Sequence, residues 1–373
     1  MKIKILLVLY CLLALCLSGC SIDVAQPAGS TPILSASPTL PDGTNNTTPA
    51  AASTTVPVTW AGLNLTGSLL YASASLTDIT PINIQRLDLI TGENKTVFTT
   101  TGDAWVYYMT VSPDGQQLLM SYAPPSEGAA LSSRALYIMP LDGTTAPQLL
   151  FQPPTPDDHY IHVEWSPDGN YIYYVHYNNK ERAQGELYPA YELFRMASPN
   201  GQPEKVAEKA FWPRLSADSS KLVYVSLDPA SGTNELFLAN ADGSDPQKVT
   251  LSGAWNSGII DAPIFSPDGK SILYSAPPPP QAYQPNWFEK LMGIKVAKAH
   301  SIPSDWWSVP ITGGEVVRLT QIQTINLFGS VSPDGNRIAS MSGEGLFVMD
   351  WDGSNITQLL FNPGVSGTVS WIP

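Results

Sequence analysis

Charge is scarce in this chain. Only 14% of its 373 residues are Asp, Glu, Lys or Arg, against roughly 25% in an average soluble domain. That shortage excludes long helices laced with ion pairs. Positive charge is scarcer still: 19 Lys and Arg stand against 32 Asp and Glu, a net charge of −13. Such a balance excludes a nucleic-acid binder, which must neutralise phosphates. The three cysteines, Cys11, Cys16 and Cys20, all lie near the amino terminus, so no disulfide staples the remainder. With 43% hydrophobic residues and 10% aromatics, the fold has to hold through core burial. No apolar run reaches the roughly 20 residues of a bilayer-spanning helix, which excludes a polytopic membrane protein. No G-x-S-x-G elbow occurs either, so an exposed serine nucleophile of the α/β-hydrolase type has no candidate.

The amino-terminal segment reads as an export signal. Met1-Lys2-Ile3-Lys4 is basic, and residues 5–17 form an apolar run of the length of a signal-peptide core. The run ends in Leu17-Ser18-Gly19-Cys20, which resembles a bacterial lipobox. That resemblance implies a leader over residues 1–19 and a lipid on Cys20, the first residue of the mature chain. Removing two lysines and no acid takes the net charge from −13 to −15. An acidic surface is repelled by anionic lipid, so the expected membrane contact is the lipid on Cys20 alone. Residues 20–58 are rich in Ser, Thr, Pro, Ala and Asn and read as a flexible stalk. The expected folded domain is residues 59–373.

An internal repeat sets the fold class. Ser112-Pro113-Asp114-Gly115 recurs at Ser166 to Gly169, Ser266 to Gly269 and Ser332 to Gly335, with Ser216-Ala217-Asp218-Ser219 as a degenerate copy. Successive spacings are 54, 50, 50 and 66 residues, the period of propeller blades. Each turn lies between short apolar strands. A second set of strands, such as Leu136 to Met139 and Leu346 to Met349, leads into further turns such as Asp142-Gly143 and Asp352-Gly353. Four short strands per repeat make one antiparallel blade, and the count predicts an all-β, six-bladed propeller. Residues 367–373 resemble the strand ahead of the turn at Ser166, so the carboxyl-terminal strand is expected to complete blade one. The competing candidate is residues 58–65.

These turns and their spacing resemble the TolB-like (WD40-like) propeller repeat, related to the propellers of prolyl oligopeptidase-type peptidases. The resemblance covers nearly all of the chain after the stalk. A stalk stands where TolB itself carries a folded domain. The resemblance implies a periplasmic or cell-surface location and a binding or scaffolding module for an envelope protein, peptide or glycan. No catalytic constellation and no cofactor are expected.

Several residues invite sharper readings. His159, His162 and His176 fall in one repeat with Asp157, Asp158 and Glu164, donors that suit zinc or manganese. The oligogalacturonate lyases resemble this arrangement in using channel histidines for a metal, which gives the alternative function: a metal-dependent polysaccharide lyase or hydrolase. Strand alternation places His159 and His162 on opposite faces and His162 with Glu164 on one, so polar rim residues are expected rather than a metal centre. Residues 240–245 and 350–355 look like calcium-loop fragments but sit at hairpin turns and lack the closing Glu. Trp306-Trp307 occupies a strand position, so one ring is expected between blades.

The 66-residue spacing carries an insertion. Asn286 and Glu289 form a capping-box start, and Trp287, Phe288, Leu291, Met292 and Val296 recur at helical spacing. The segment reads either as an amphipathic plug or as a docking element. In the second case Tyr283, Trp287, Phe288, Lys290, Lys295, Lys298 and His300 are the expected partner-binding residues. A smaller insertion spans residues 178–191.

Overall fold

The five Ser-x-Asp-x turns fold alike, and their side chains explain the motif. In the computed structural model each Ser Oγ donates to the Asp Oδ1 two residues on, at 2.5–2.7 Å. The same Oδ1 accepts the backbone N–H two residues later at 3.0 Å. The next strand then begins with an N–H donated back to the Ser Oγ at 2.9 Å. The fourth position is left-handed in every copy, which is why four of the five carry glycine. The hydrogen bond from Ser holds each of these Asp carboxyls below the usual range.

The structure describes residues 53–74, 81–126, 132–253, 258–278, 302–325, 327–361 and 367–373. Six antiparallel sheets follow one another. Blade two, for example, runs Trp105–Val111, Gln117–Ala123, Ala135–Pro140 and Gln148–Phe151. Blade three runs Asp158–Trp165, Tyr171–Asn178, Glu192–Ala197 and Glu204–Glu208. Blade four opens with Ala210–Leu215, blade five with Asp261–Phe265 and blade six with Phe328–Val331. These first strands touch their neighbours in a closed ring, so they form the inner wall. The six-bladed propeller is as the repeat predicts. Among the described residues the only helical element is a 3-10 turn at Ala61–Leu63.

Ring closure falls to the carboxyl-terminal strand. Ser370–Ile372 pairs antiparallel with Ser68–Ser73 as the innermost strand of blade one. Trp371 then stitches three segments: its N–H donates to Ser330 Oγ of blade six at 3.0 Å, and its indole donates to the Thr66 carbonyl at 2.9 Å. Residues 58–65 do not supply that strand. They bury Trp60 against Leu69, Leu87 and Trp371, with the Trp60 indole donating to the Leu89 carbonyl at 2.8 Å. Blade one also gains an outer strand, Ser53–Thr55, paired with Glu93–Thr99. This strand lies inside the segment that composition assigns to the stalk.

The remaining core lies between blades. Trp306 packs with Ile264 and Leu273 of blade five and Ile338 and Met349 of blade six, and its indole donates to Ser340 Oγ at 3.0 Å. Trp307, on the opposite face of the same strand, joins the cluster shared with blade four. Both tryptophans are core, one more than the register requires.

Candidate functional site: a filled axis and an aromatic pocket

The inner strands share a backbone irregularity. Blades two to five each shift register between the first and second strands, a β-bulge. In blades three, four and five the bulged residue, His162, Trp212 or Ala262, has φ of 49°, 55° or 45°. Non-glycine residues adopt this region only under strain. All three stand four residues ahead of the turn Ser. The equivalents are Tyr108 in blade two, Phe328 in blade six and, by register, Thr368 in blade one.

These six residues fill the propeller axis. Each is at most 8% exposed. Tyr108 meets His162 edge-on at 4.4 Å, His162 stacks on Trp212 at 4.0 Å, and Trp212 reaches Phe328 at 5.1 Å. The last contact crosses over Ala262, whose small side chain leaves room for the indole. The Trp212 backbone N–H donates to His162 Nδ1 at 3.3 Å, and its indole N–H donates to Asp261 Oδ1 at 3.2 Å. Burial pushes the Asp261 carboxyl well above the usual carboxylate range, against the smaller effect of that indole hydrogen bond. Thr368 Oγ1 accepts the Met109 N–H and donates to the Met109 carbonyl, both at 2.8 Å, which joins blade one to blade two.

Two residues nearer the turns, Thr110, Glu164, Arg214, Ile264, Ser330 and Ser370 line a vestibule of about 460 Å3, one from each blade. Glu164 and Arg214 form an ion pair across it. Burial raises the Glu164 carboxyl, opposed by the Arg214 charge and hydrogen bond. The pair is self-satisfied, and the vestibule ends at the aromatic plug.

The other face, where first strands begin and second strands end, carries a pocket of about 220 Å3. Its walls are mostly rings: Tyr108, Tyr177, Tyr188, Tyr191 and Phe211, with Leu227 and Ile161. Besides the tyrosine hydroxyls, Arg134, Asn234 and the edge of His162 from the axial plug supply the polar groups. The insertion at residues 178–191 builds one side by leaning on blade four: the Leu187 N–H donates to the Pro229 carbonyl at 2.8 Å. Gly232 makes that approach possible, since a Cβ there would sit 2.8 Å from the Tyr188 ring. Burial holds the Tyr191 hydroxyl up at about 12, so it is a neutral hydrogen-bonding group at all physiological pH.

The residues singled out as metal donors go to separate places. His162 lies in the axial plug and Glu164 pairs with Arg214. His159 stacks on Tyr177 at 5.1 Å, accepts the Arg134 N–H at 3.2 Å and bonds to the Asn179 amide at 2.6 Å. His176 sits with Asp158 at 2.9 Å, and Asp157 with Lys180 at 2.9 Å. His176 also approaches Glu192 at 3.6 Å on its other ring nitrogen, but among the described residues no three His, Cys, Asp or Glu side chains are grouped so as to hold a metal ion. The calcium-like segments are hairpin turns whose Asp242 and Asp352 accept the N–H of Ser244 and Ser354. Cys20 and the expected docking residues Tyr283, Trp287, Phe288, Lys290, Lys295, Lys298 and His300 lie outside the described residues, as does the expected helix. The pocket itself escaped sequence reading, although the tyrosines at 177, 188 and 191 flanking the smaller insertion marked its place.

No protein-family model and no curated protein matches the chain. Solved structures do. The chain is similar to TolB from Acinetobacter baumannii, with a TM-score of 0.56 and 18% identity over 82% of this chain and 67% of that one. It is similar to a putative TolB from Agrobacterium tumefaciens, with a TM-score of 0.51 and 18% identity over 83% and 99%. A chain of a nidogen/laminin complex gives a TM-score of 0.54 at 10% identity over 82% and 98%. At such identities the likeness is one of fold. The fold is that of a TolB-like six-bladed β-propeller.

Proposed function

We propose that this protein is a binding module of the bacterial cell envelope, held by a lipid on Cys20 and presenting one propeller face to a protein or peptide partner. The observation that carries the reading is the 220 Å3 aromatic pocket beside the filled axis. A rigid ring whose axis is plugged offers its faces, not a passage, and apolar concavities edged by a few polar groups are where ligands bind. The leader and lipobox support the envelope location. A tether confines the module near its partners and raises their effective concentration.

The alternative, a metal-dependent polysaccharide lyase or hydrolase, would need His162 to meet further donors at the axis. Its ring instead stacks on Trp212 and meets Tyr108 edge-on.

Affinity capture from native membranes tests the proposal. Full-length protein is expected to enrich a partner that the Tyr188→Ala/Tyr191→Ala variant loses while its melting curve persists. Equal capture by both proteins would remove the pocket from the interaction. No capture by either, together with near-stoichiometric manganese or zinc lost on His162→Ala, would replace the binding module by the enzyme.

A further inference from the structure

Arg134 stands out in a molecule with so few cations. It precedes the strand Ala135–Pro140 and is fixed from several sides. Its N–H donates to His159 Nδ1 at 3.2 Å, its carbonyl accepts the Tyr160 N–H at 2.9 Å, and its Nη1 donates to the Tyr177 hydroxyl at 2.9 Å. A guanidinium has five N–H donors in a fork that matches a carboxylate. Among the described residues no Asp or Glu forms an ion pair with it. Among the described residues it therefore brings to the wall of an aromatic pocket a positive charge that no carboxylate pairs with.

Asn234 supplies the second group. It is 7% exposed and lines the same pocket. Its Nδ2 donates to the Ile260 carbonyl at 3.0 Å, which fixes the amide orientation. Its Oδ1 is buried and has no hydrogen-bond partner among the described residues. A buried acceptor left unpaired is destabilising, and a ligand donor offsets that loss.

The pocket thus asks three things of an occupant: a negative charge for Arg134, an N–H or O–H for Asn234, and an apolar body for the rings. At about 220 Å3 it is smaller than the roughly 300–1,000 Å3 of sites for drug-sized molecules, so it suits one residue rather than an extended segment. The last residue of a peptide carries all three groups around one Cα: carboxylate, peptide N–H and side chain. Capture of a terminal carboxylate is a recurrent recognition mode.

We propose that this pocket captures the free carboxyl terminus of a peptide or protein ending in an apolar residue. Arg134 pairs with the carboxylate, Asn234 Oδ1 accepts the last peptide N–H, and Tyr188, Tyr191 and Phe211 enclose the side chain. This inference rests on the binding-module reading and names the chemistry of its partner.

The test titrates full-length protein with an N-acetylated hexapeptide ending in Phe, as the free acid and as the carboxamide, by calorimetry. The acid is expected to bind at least tenfold more tightly than the amide. Arg134→Gln should bring the acid down to the level of the amide. Asn234→Leu should weaken acid and amide alike, and its melting curve shows whether the fold survives. If it does not, the Arg134→Gln comparison decides alone. Equal binding of acid and amide, or no binding of either by a protein that melts cooperatively, overturns the inference. If membrane capture still depends on Tyr188 and Tyr191 in that case, the binding module stands and only the terminal carboxylate falls. If capture fails too, both fall.

Discussion

Ser219 holds the left-handed tip of its turn, with φ of 59°, where the other four turns have glycine. A side chain in that conformation costs about 1–2 kcal/mol. Here the hydroxyl gives something in return: Ser219 Oγ accepts the Asp168 backbone N–H of the adjacent blade at 3.0 Å. Ser219→Ala keeps the strain and loses the bond, so denaturant unfolding should show a loss of about 1 kcal/mol. Ser219→Gly loses the bond and relieves the strain, and should fall close to wild type. The reverse order would mean that the hydroxyl does not link the blades. The motif was legible at this scale because the whole hydrogen-bond set of a turn lies within six consecutive residues. His162 was not, since its ring is defined by Tyr108 and Trp212, each about fifty positions away.

Strand pairs carry their own pH dependence. Where Asp158–Trp165 meets Tyr171–Asn178, Asp158 accepts from Asn178 Nδ2 at 2.9 Å and from Thr155 Oγ1 at 2.6 Å, and pairs with His176 Nε2 at 2.9 Å. Burial alone would raise its carboxyl, but the bonds from Thr155, Asn178 and His176 outweigh burial and hold it down at about 2. A carboxyl with a depressed folded value stabilises above its unfolded value near 4 and loses that contribution as pH falls toward 2. Asp158→Asn should therefore lower stability at pH 7 and flatten the fall between pH 4 and pH 2 in urea titrations. An unchanged acid limb would show that the cluster does not survive in solution. Strand order and the packing of one of Trp306 and Trp307 between blades could be read from the sequence, because alternation and a repeated turn are local. The bulges could not: they add one residue to a strand without altering its composition. Nor could the pocket, whose walls come from blades two, three and four. Periodicity ranks strands within a blade but says nothing of which loops lean together.

For the molecule as a whole, stability depends on the seam in blade one. Gly67 precedes the strand Ser68–Ser73 with φ of +79°, and a Cβ there would lie 2.1 Å from the Ile372 carbonyl oxygen. Gly67→Ala should cost more than the roughly 1–2 kcal/mol of the left-handed conformation, because the added carbon also pushes the closing strand away. Thermal melts should drop and broaden, and amide exchange should rise in blades one and two, where Thr368 holds Met109. A sharp transition near the wild-type temperature would show that the seam is not the weak point. Closure by the last strand was expected from its likeness to the strand before Ser166, whereas the pairing of Ser53–Thr55 gave no composition signal.

The same seam governs timing. Blade one joins residues 68–73 to residues 370–372, so its innermost pairing spans almost the full folded chain. Non-local pairing of this kind is slow, because the closure entropy is lost before any contact rewards it. A nascent chain lacks its final strand until residue 372 has emerged. On the proposed reading of residues 1–19 as an export leader, the chain would be threaded unfolded through a channel, and the delay would let the ring lock only on the far side.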